Sequence, residues 1–248
     1  MLKGSAWTLE TTVTVPANVS ITAESPSCVI TPSTDANVFR VTGSGATVGS
    51  MTINGTGTTN AIGVRIETGC DDVTLSDLTV NDMGLDGVYV ATDGAIGNAP
   101  ANLTMTNVSV TGCGRTNIAV TWCNGGTFTD ITSTDSGING INFEHGPFAD
   151  LTLDGFAVVN AARHGVNINV EDGRTGTGIA IANGTVADSG GVGAEGDDFS
   201  NDAGVRFRNT GAGCSITNLA VSNGHTTKAV FTHDLVVAVT ETNVTYTP

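Results

Sequence analysis

GVRIETGCDDVTLSDLTVNDMGLD, residues 63 to 86, alternates apolar and polar residues in three short bursts. Val64 and Ile66 flank Arg65, Val73 and Leu75 flank Thr74, and Leu78 and Val80 flank Thr79. Period-2 alternation over runs this short, broken by Gly, Asp and Asn, is the pattern of half-buried strands closed by turns. Three strands within 24 residues make one three-sided coil.

The coil recurs. Its opening GVRI returns as GVYV at Gly87, NIAV at Asn117, GINF at Gly140, GVNI at Gly165 and GVRF at Gly204, with a degenerate KAVF from Lys228, at intervals of 23 to 39 residues. A short period of this kind marks a stacked-repeat architecture. Val64, Ile66, Val88, Val90, Ile118, Val120, Ile141, Phe143, Val166, Ile168, Val205 and Phe207 fall on one inward stack. Between the second and third strands stands Asp77, then Asn107, Asp130, Gly155, Asn183 and Asn218 in successive coils. Asx residues and Gly accept the left-handed backbone of a sharp corner, and stacked Asx side chains can hydrogen-bond from coil to coil.

Strands fed by similar turns at this interval pair in parallel, coil on coil. The expected fold is therefore an all-β, single-stranded parallel β-helix, three short strands per coil and about ten coils, forming one domain over residues 1–248. Residues 1–62 read as irregular first coils and 63–248 as regular ones, with loop insertions at 91–101 and 189–203. Nothing before Trp7 reads as a capping helix, so the first coil is expected to present an open edge.

Composition narrows the partners. A net charge of −15, with 24 acids against 9 bases, opposes binding to nucleic acid or an anionic membrane. No apolar run reaches the roughly 18 residues of a membrane span, and MLKGSAWTLE lacks the apolar stretch of a signal peptide. Five scattered cysteines without CxxC spacing suggest packed thiols instead of a disulfide framework or a zinc site.

The opening WTLETTVTVPANVSITAE from Trp7, followed by V-x-I/L-x-N/D-x-x-V coils, resembles the right-handed, pectin-lyase-like β-helix superfamily over nearly the whole chain. That resemblance implies a right-handed helix and a carbohydrate-related role, as in its pectate lyases, polygalacturonases, alginate epimerases and phage tailspikes. The polygalacturonase elements G-H-G and R-I-K are missing, and the D-D pairs Asp71-Asp72 and Asp197-Asp198 fall at a turn and in a loop. FEHG, from Phe143, is a distant echo of the epimerase D-P-H.

Register stacks the outward residues of the first strand into a face where acid, imidazole, amide and guanidinium converge on adjacent coils. Glu144, His164 and His145 are the candidate acid–base groups. Asn142, Asn167, Asn169, Arg206 and Arg208 are candidate sugar ligands, and Trp122 a candidate stacking platform. Each also admits a structural role: an ion pair for Glu144 and the arginines, an amide ladder for the asparagines, turn capping for His164 and turn packing for Trp122. No cofactor is implied; Asp197, Asp198 and Asp202 are weak calcium candidates without the spacing of an EF-hand.

Two functions fit these residues. One is a carbohydrate-active or carbohydrate-binding β-helix (lyase, hydrolase or epimerase) acting on an extracellular, acidic polysaccharide. The other is a non-catalytic fibre, tailspike or virion decoration module. Either would work outside the cell, on its surface or on a virion. Open column ends predict a homotrimer or a flanking structural partner.

Overall fold

The computed structural model describes residues 5–25, 27–33, 35–57, 60–91, 98–171, 174, 176–190, 204–222, 230–233 and 239–247. The middle of the 91–101 insertion, most of the 189–203 insertion, the calcium candidates Asp197, Asp198 and Asp202, and the start of KAVF lie outside the described residues.

Among the described residues every regular element is a strand. Nine form one parallel sheet: β2 (Val13–Val15), β5 (Phe39–Val41), β7 (Val64–Ile66), β9 (Val88–Val90), β11 (Ile118–Val120), β13 (Ile141–His145), β15 (Val166–Val170), β17 (Val205–Arg208) and β19 (Val230–His233). Eleven form the other: β1 (Ala6–Leu9), β3 (Ser20–Thr22), β4 (Val29–Pro32), β6 (Thr47–Asn54), β8 (Thr74–Asn81), β10 (Ala101–Thr111), β12 (Asn124–Ser136), β14 (Ala149–Ala161), β16 (Ala180–Ala187), β18 (Ser215–Ser222) and β20 (Thr240–Thr247). The chain alternates between the sheets and each strand pairs with its counterpart one coil away, which makes a parallel β-helix.

The expected inward stack is the observed one: Val64, Ile66, Val88, Val90, Ile118, Val120, Ile141, Phe143, Val166, Ile168, Val205 and Phe207 are all at most 2% exposed. Phe143 is packed edge-on between Phe128 and Phe148, at centroid distances of 5.5 and 5.8 Å. That aromatic cluster stiffens the core beneath β13. The five cysteines are free and buried.

Two expectations change. The coil count is about eight, not ten, because residues 1–62 contribute only β2 and β5 to the nine-stranded sheet. The second and third strands of a coil also run together as one strand, up to 13 residues long in β12 and β14, and where the two meet the chain bends at one left-handed residue, Asp130 or Gly155, instead of being broken by a turn.

Those bends stack into columns. Ser50, Asp77, Asn107, Asp130, Gly155, Asn183, Asn218 and Asn243 all have φ between 51° and 65° and lie in register. Asn107 donates to Asp77 at 2.8 Å, Asn218 to Asn183 at 2.9 Å and Asn243 to Asn218 at 3.0 Å. Where the column holds Gly155, the amide of Asn183 reaches Asp154 instead, at 2.7 Å. Two further corner columns behave alike, with Asn102 donating to Asp72 at 3.1 Å and Asn160 to Asp135 at 2.6 Å.

Candidate functional site

Alternation in β13, INFEH, turns Ile141 and Phe143 into the core and leaves Asn142 and Glu144 on the outer face. β15 repeats the arrangement with Asn167 and Asn169, and β17 with Arg206 and Arg208. Parallel pairing puts Asn142 beside Asn167 and Asn167 beside Arg206, and likewise Glu144 beside Asn169 and Asn169 beside Arg208. Two polar rows therefore run up the nine-stranded sheet.

A groove of about 300 Å³ opens along these rows. Asn142, Glu144, His164, Asn167, Asn169 and Arg206 line it, together with Arg115, Thr116, Asn139 and Arg163. Although they face away from the core, Asn142, Asn167 and Arg206 are only 3%, 4% and 3% exposed. They form a directed chain: Arg206 Nη1 donates to Asn167 Oδ1 at 3.3 Å, and Asn167 Nδ2 donates to Asn142 Oδ1 at 2.7 Å. An amide ladder is thus present on the groove floor, as one reading of these asparagines expected. Asn169 differs, because its Oδ1 is buried without a hydrogen-bond partner in the protein.

The wall of the groove is a third polar column, formed by the residue just before each repeat glycine or its Asn117 equivalent: Asp86, Thr116, Asn139 and His164, at most 5% exposed. Asp86 Oδ1 accepts from the Thr116 amide at 3.1 Å, and Asn139 Oδ1 accepts from the His164 amide at 3.3 Å. Each side chain satisfies the backbone of the next coil. Arg115 closes on Asp86 through both Nε and Nη2. Burial pushes the Asp86 carboxyl above the usual aspartate range, against the pull of that fork and the Thr116 amide, while the carboxylate hydrogen bond raises Arg115. The guanidinium is held firmly charged.

The other expected residues stand apart from the groove lining. His145 is at φ 71°, an uncommon left-handed conformation for a residue that is neither Gly nor Asx. Its Nδ1 lies 3.2 Å from Glu171, and its Nε2 lies 3.8 Å from Glu144. Arg174 binds Glu171 at 3.2 Å and the His145 carbonyl at 2.9 Å, and its guanidinium sits 4.7 Å from the Trp122 ring centroid. Trp122 is 1% exposed, with Gly146 close against the ring. An open stacking platform is not what the structure presents: Trp122 lies outside the hydrophobic core cluster, with Arg174 over its ring and Gly146 against it. Arg208 continues the Glu144–Asn169 row one coil further.

The column before the repeat glycine and its Arg115 partner were not anticipated. The signal was present: Asp86-Gly87, Thr116-Asn117, Asn139-Gly140 and His164-Gly165 place a polar residue at one repeat position. Among the described residues, no three His, Cys, Asp or Glu side chains converge as metal ligands, and no helix is long and apolar enough to cross a membrane.

Solved structures share this architecture. Similar to the chain are an alginate lyase from Paenibacillus sp. str. FPU-7 (TM-score 0.63, 11% identity, 98% of this chain and 91% of that one) and tailspike protein 2 from Escherichia coli O157:H7 bacteriophage CAB120 (TM-score 0.61, 14% identity, 96% of this chain and 38% of that one). The Azotobacter vinelandii mannuronan C-5 epimerase AlgE4 A-module is similar as well (TM-score 0.54, 10% identity, 98% of this chain and 84% of that one). The fold is that of the pectin-lyase-like β-helix proteins. No protein-family model matches the chain, and no curated protein matches it significantly.

Proposed function

We propose that the groove over β13, β15 and β17 binds an extracellular, acidic polysaccharide and that the chain modifies it. The observation that carries this reading is the carbonyl of Asn169. A buried acceptor without a protein partner costs free energy that a ligand hydroxyl or bound water recovers, and Asn169 lines the groove beside Glu144, with Arg206 on the same lining. Amides, guanidinium groups, a carboxylate and an imidazole lining one groove suit a polyhydroxylated ligand that carries negative charge. Support also comes from the similar structures, which are named as an alginate lyase, a mannuronan epimerase and an α-1,3-glucanase bound to nigerose.

In this reading Glu144 and His164 exchange protons with the substrate, and Arg206 and the asparagines hold it. Incubating the protein with acidic and neutral polysaccharides, followed by reducing-end and unsaturated-product assays, tests the proposal. Glu144→Gln should lower turnover roughly tenfold or more with thermal stability unchanged. Wild-type rates in that variant, on a substrate the protein uses, would remove Glu144 from the chemistry.

A rigid, non-catalytic fibre module is the second reading, favoured by the tailspike likeness, in which the chain spans 38% of the phage protein. The edge strand β1, with Trp7 41% exposed, would then meet a neighbouring copy or structural protein. Light scattering showing a trimer, together with glycan binding without turnover, would favour it.

A further inference from the structure

Below the groove, the outer row of the same sheet continues through Tyr89, Arg65 and Arg40 in strict register. Tyr89 takes a guanidinium from each side: Arg65, one coil below, at 5.3 Å from the ring centroid, and Arg115, one coil above, at 5.4 Å. Each is fixed by its own carboxylate. Arg65 binds Glu67 through Nε and Nη2, at 2.8 and 3.3 Å, and Arg115 binds Asp86 through the same two atoms. A guanidinium carries five N–H donors, so three on each remain for a ligand or water. The side chains are 32% and 40% exposed, within reach of solvent. Arg40 also binds Glu67, at 2.5 Å. Three guanidinium groups thus share two directly bonded carboxylates, with Glu144 close enough to act on Arg115, a concentration of bases on a chain that has 9 of them against 24 acids. The outer row already places Tyr89 two strands from Asn142, about 10 Å at parallel-strand spacing, and Arg115 lines the groove itself.

We infer that Arg65 and Arg115, spaced by Tyr89, form an accessory anion subsite that holds a carboxylate or sulfate of a polysaccharide unit lying beyond the groove. This rests on the groove reading above. It makes a long polymer run along the helix axis, with one end over β13 to β17 and an acidic unit at Tyr89. Preorganised forks of this kind favour planar, charged oxygens over neutral hydroxyls.

Calorimetric titration with oligogalacturonates and with sulfated heparin fragments, each from dimer to octamer, tests the subsite on wild type, Arg65→Gln, Arg65→Lys, Tyr89→Ala and Asn169→Ala. Arg65→Gln and Tyr89→Ala should weaken the octamer of one class roughly tenfold and leave its dimer unchanged, with Arg65→Lys in between. The class affected names the anion. Asn169→Ala should weaken dimer and octamer alike. Unchanged octamer affinity in the Arg65 and Tyr89 variants, while Asn169→Ala loses binding, overturns the subsite and leaves the groove standing. Failure of the wild type to bind either class overturns both.

Discussion

Asparagines stack in two places in this molecule, and they do different work there. At the corners, Asn107, Asn183, Asn218 and Asn243 occupy left-handed backbone, where Asn is wanted for its own conformation. On the groove floor Asn142, Asn167 and Asn169 lie in extended strands whose backbone any residue could adopt. Corner amides are exposed and engaged with the adjacent coil; the floor amides of Asn142 and Asn167 are nearly buried, and Asn169 keeps an unanswered acceptor. Backbone geometry accounts for the first set and not for the second. Two adjacent strands that spend three positions on amides beside a carboxylate and a guanidinium need another account, which the proposed ligand supplies.

The comparison can be broken most severely from beneath. Ile141→Asp would bury an unpaired charge under both amide systems and cost about 4 kcal/mol or more, read as loss of cooperative unfolding or of soluble protein. Unchanged stability would mean that the inward register is wrong.

Alkaline titration probes the inner side of the corners, where Cys113 and Cys123 are packed. Burial pushes both thiols up to about 12 from 9.0. Above pH 9 the unfolded chain ionises these thiols while the folded chain keeps them protonated, so stability falls as pH rises from about 9 towards 12. The slope should approach about 1.4 kcal/mol per pH unit for each thiol. Denaturant midpoints between pH 8.5 and 10.5 measure it, and Cys113→Ala should flatten the slope. A midpoint independent of pH would show that the thiols are open to solvent.

Smaller effects separate the two amide sets directly. Asn218→Ala places a Cβ residue without a local hydrogen bond at φ 52°, which should cost about 1–2 kcal/mol, while Asn218→Gly should be nearly neutral. Asn169→Ala removes an acceptor that had no partner, so its thermal midpoint should stay the same or rise slightly while glycan affinity drops. If Asn169→Ala loses as much stability as Asn218→Ala, the groove amides are structural after all.

Much of the fold was legible because a β-helix writes its rules locally: alternation at Val64 and Ile66 gives the core, and Asp77 and Asn107 give the bend. The groove was legible wherever register alone decides position, which brought Asn142, Glu144, Asn167, Asn169 and Arg206 to one face. Register does not say what covers a corner residue, and so it does not show the Arg174 guanidinium and Gly146 that close over Trp122. Nor does it reveal a pair such as Asp86 and Arg115, 29 residues apart and outside the strands. The shortage of coils arose in residues 1–62, where short alternating runs lack the glycine that opens most later coils.

The corner columns also restrict how such a chain could have grown. Among the described residues no corner Asp lies directly above another; the position above is taken by an Asn that donates or a Gly that makes room, as with Asp77 and Asn107, Asp130 and Gly155, and Asp82 and Gly112. Like charges in direct register repel. Copying residues 63–86 in tandem would set Asp72, Asp77 and Asp82 over their own duplicates at all three corners. The next coil carries Asn102, Asn107 and Gly112 there, and could be copied without any such clash. Tandem copying would therefore carry a repulsive penalty in some coils and none in others, according to what stands at the corners.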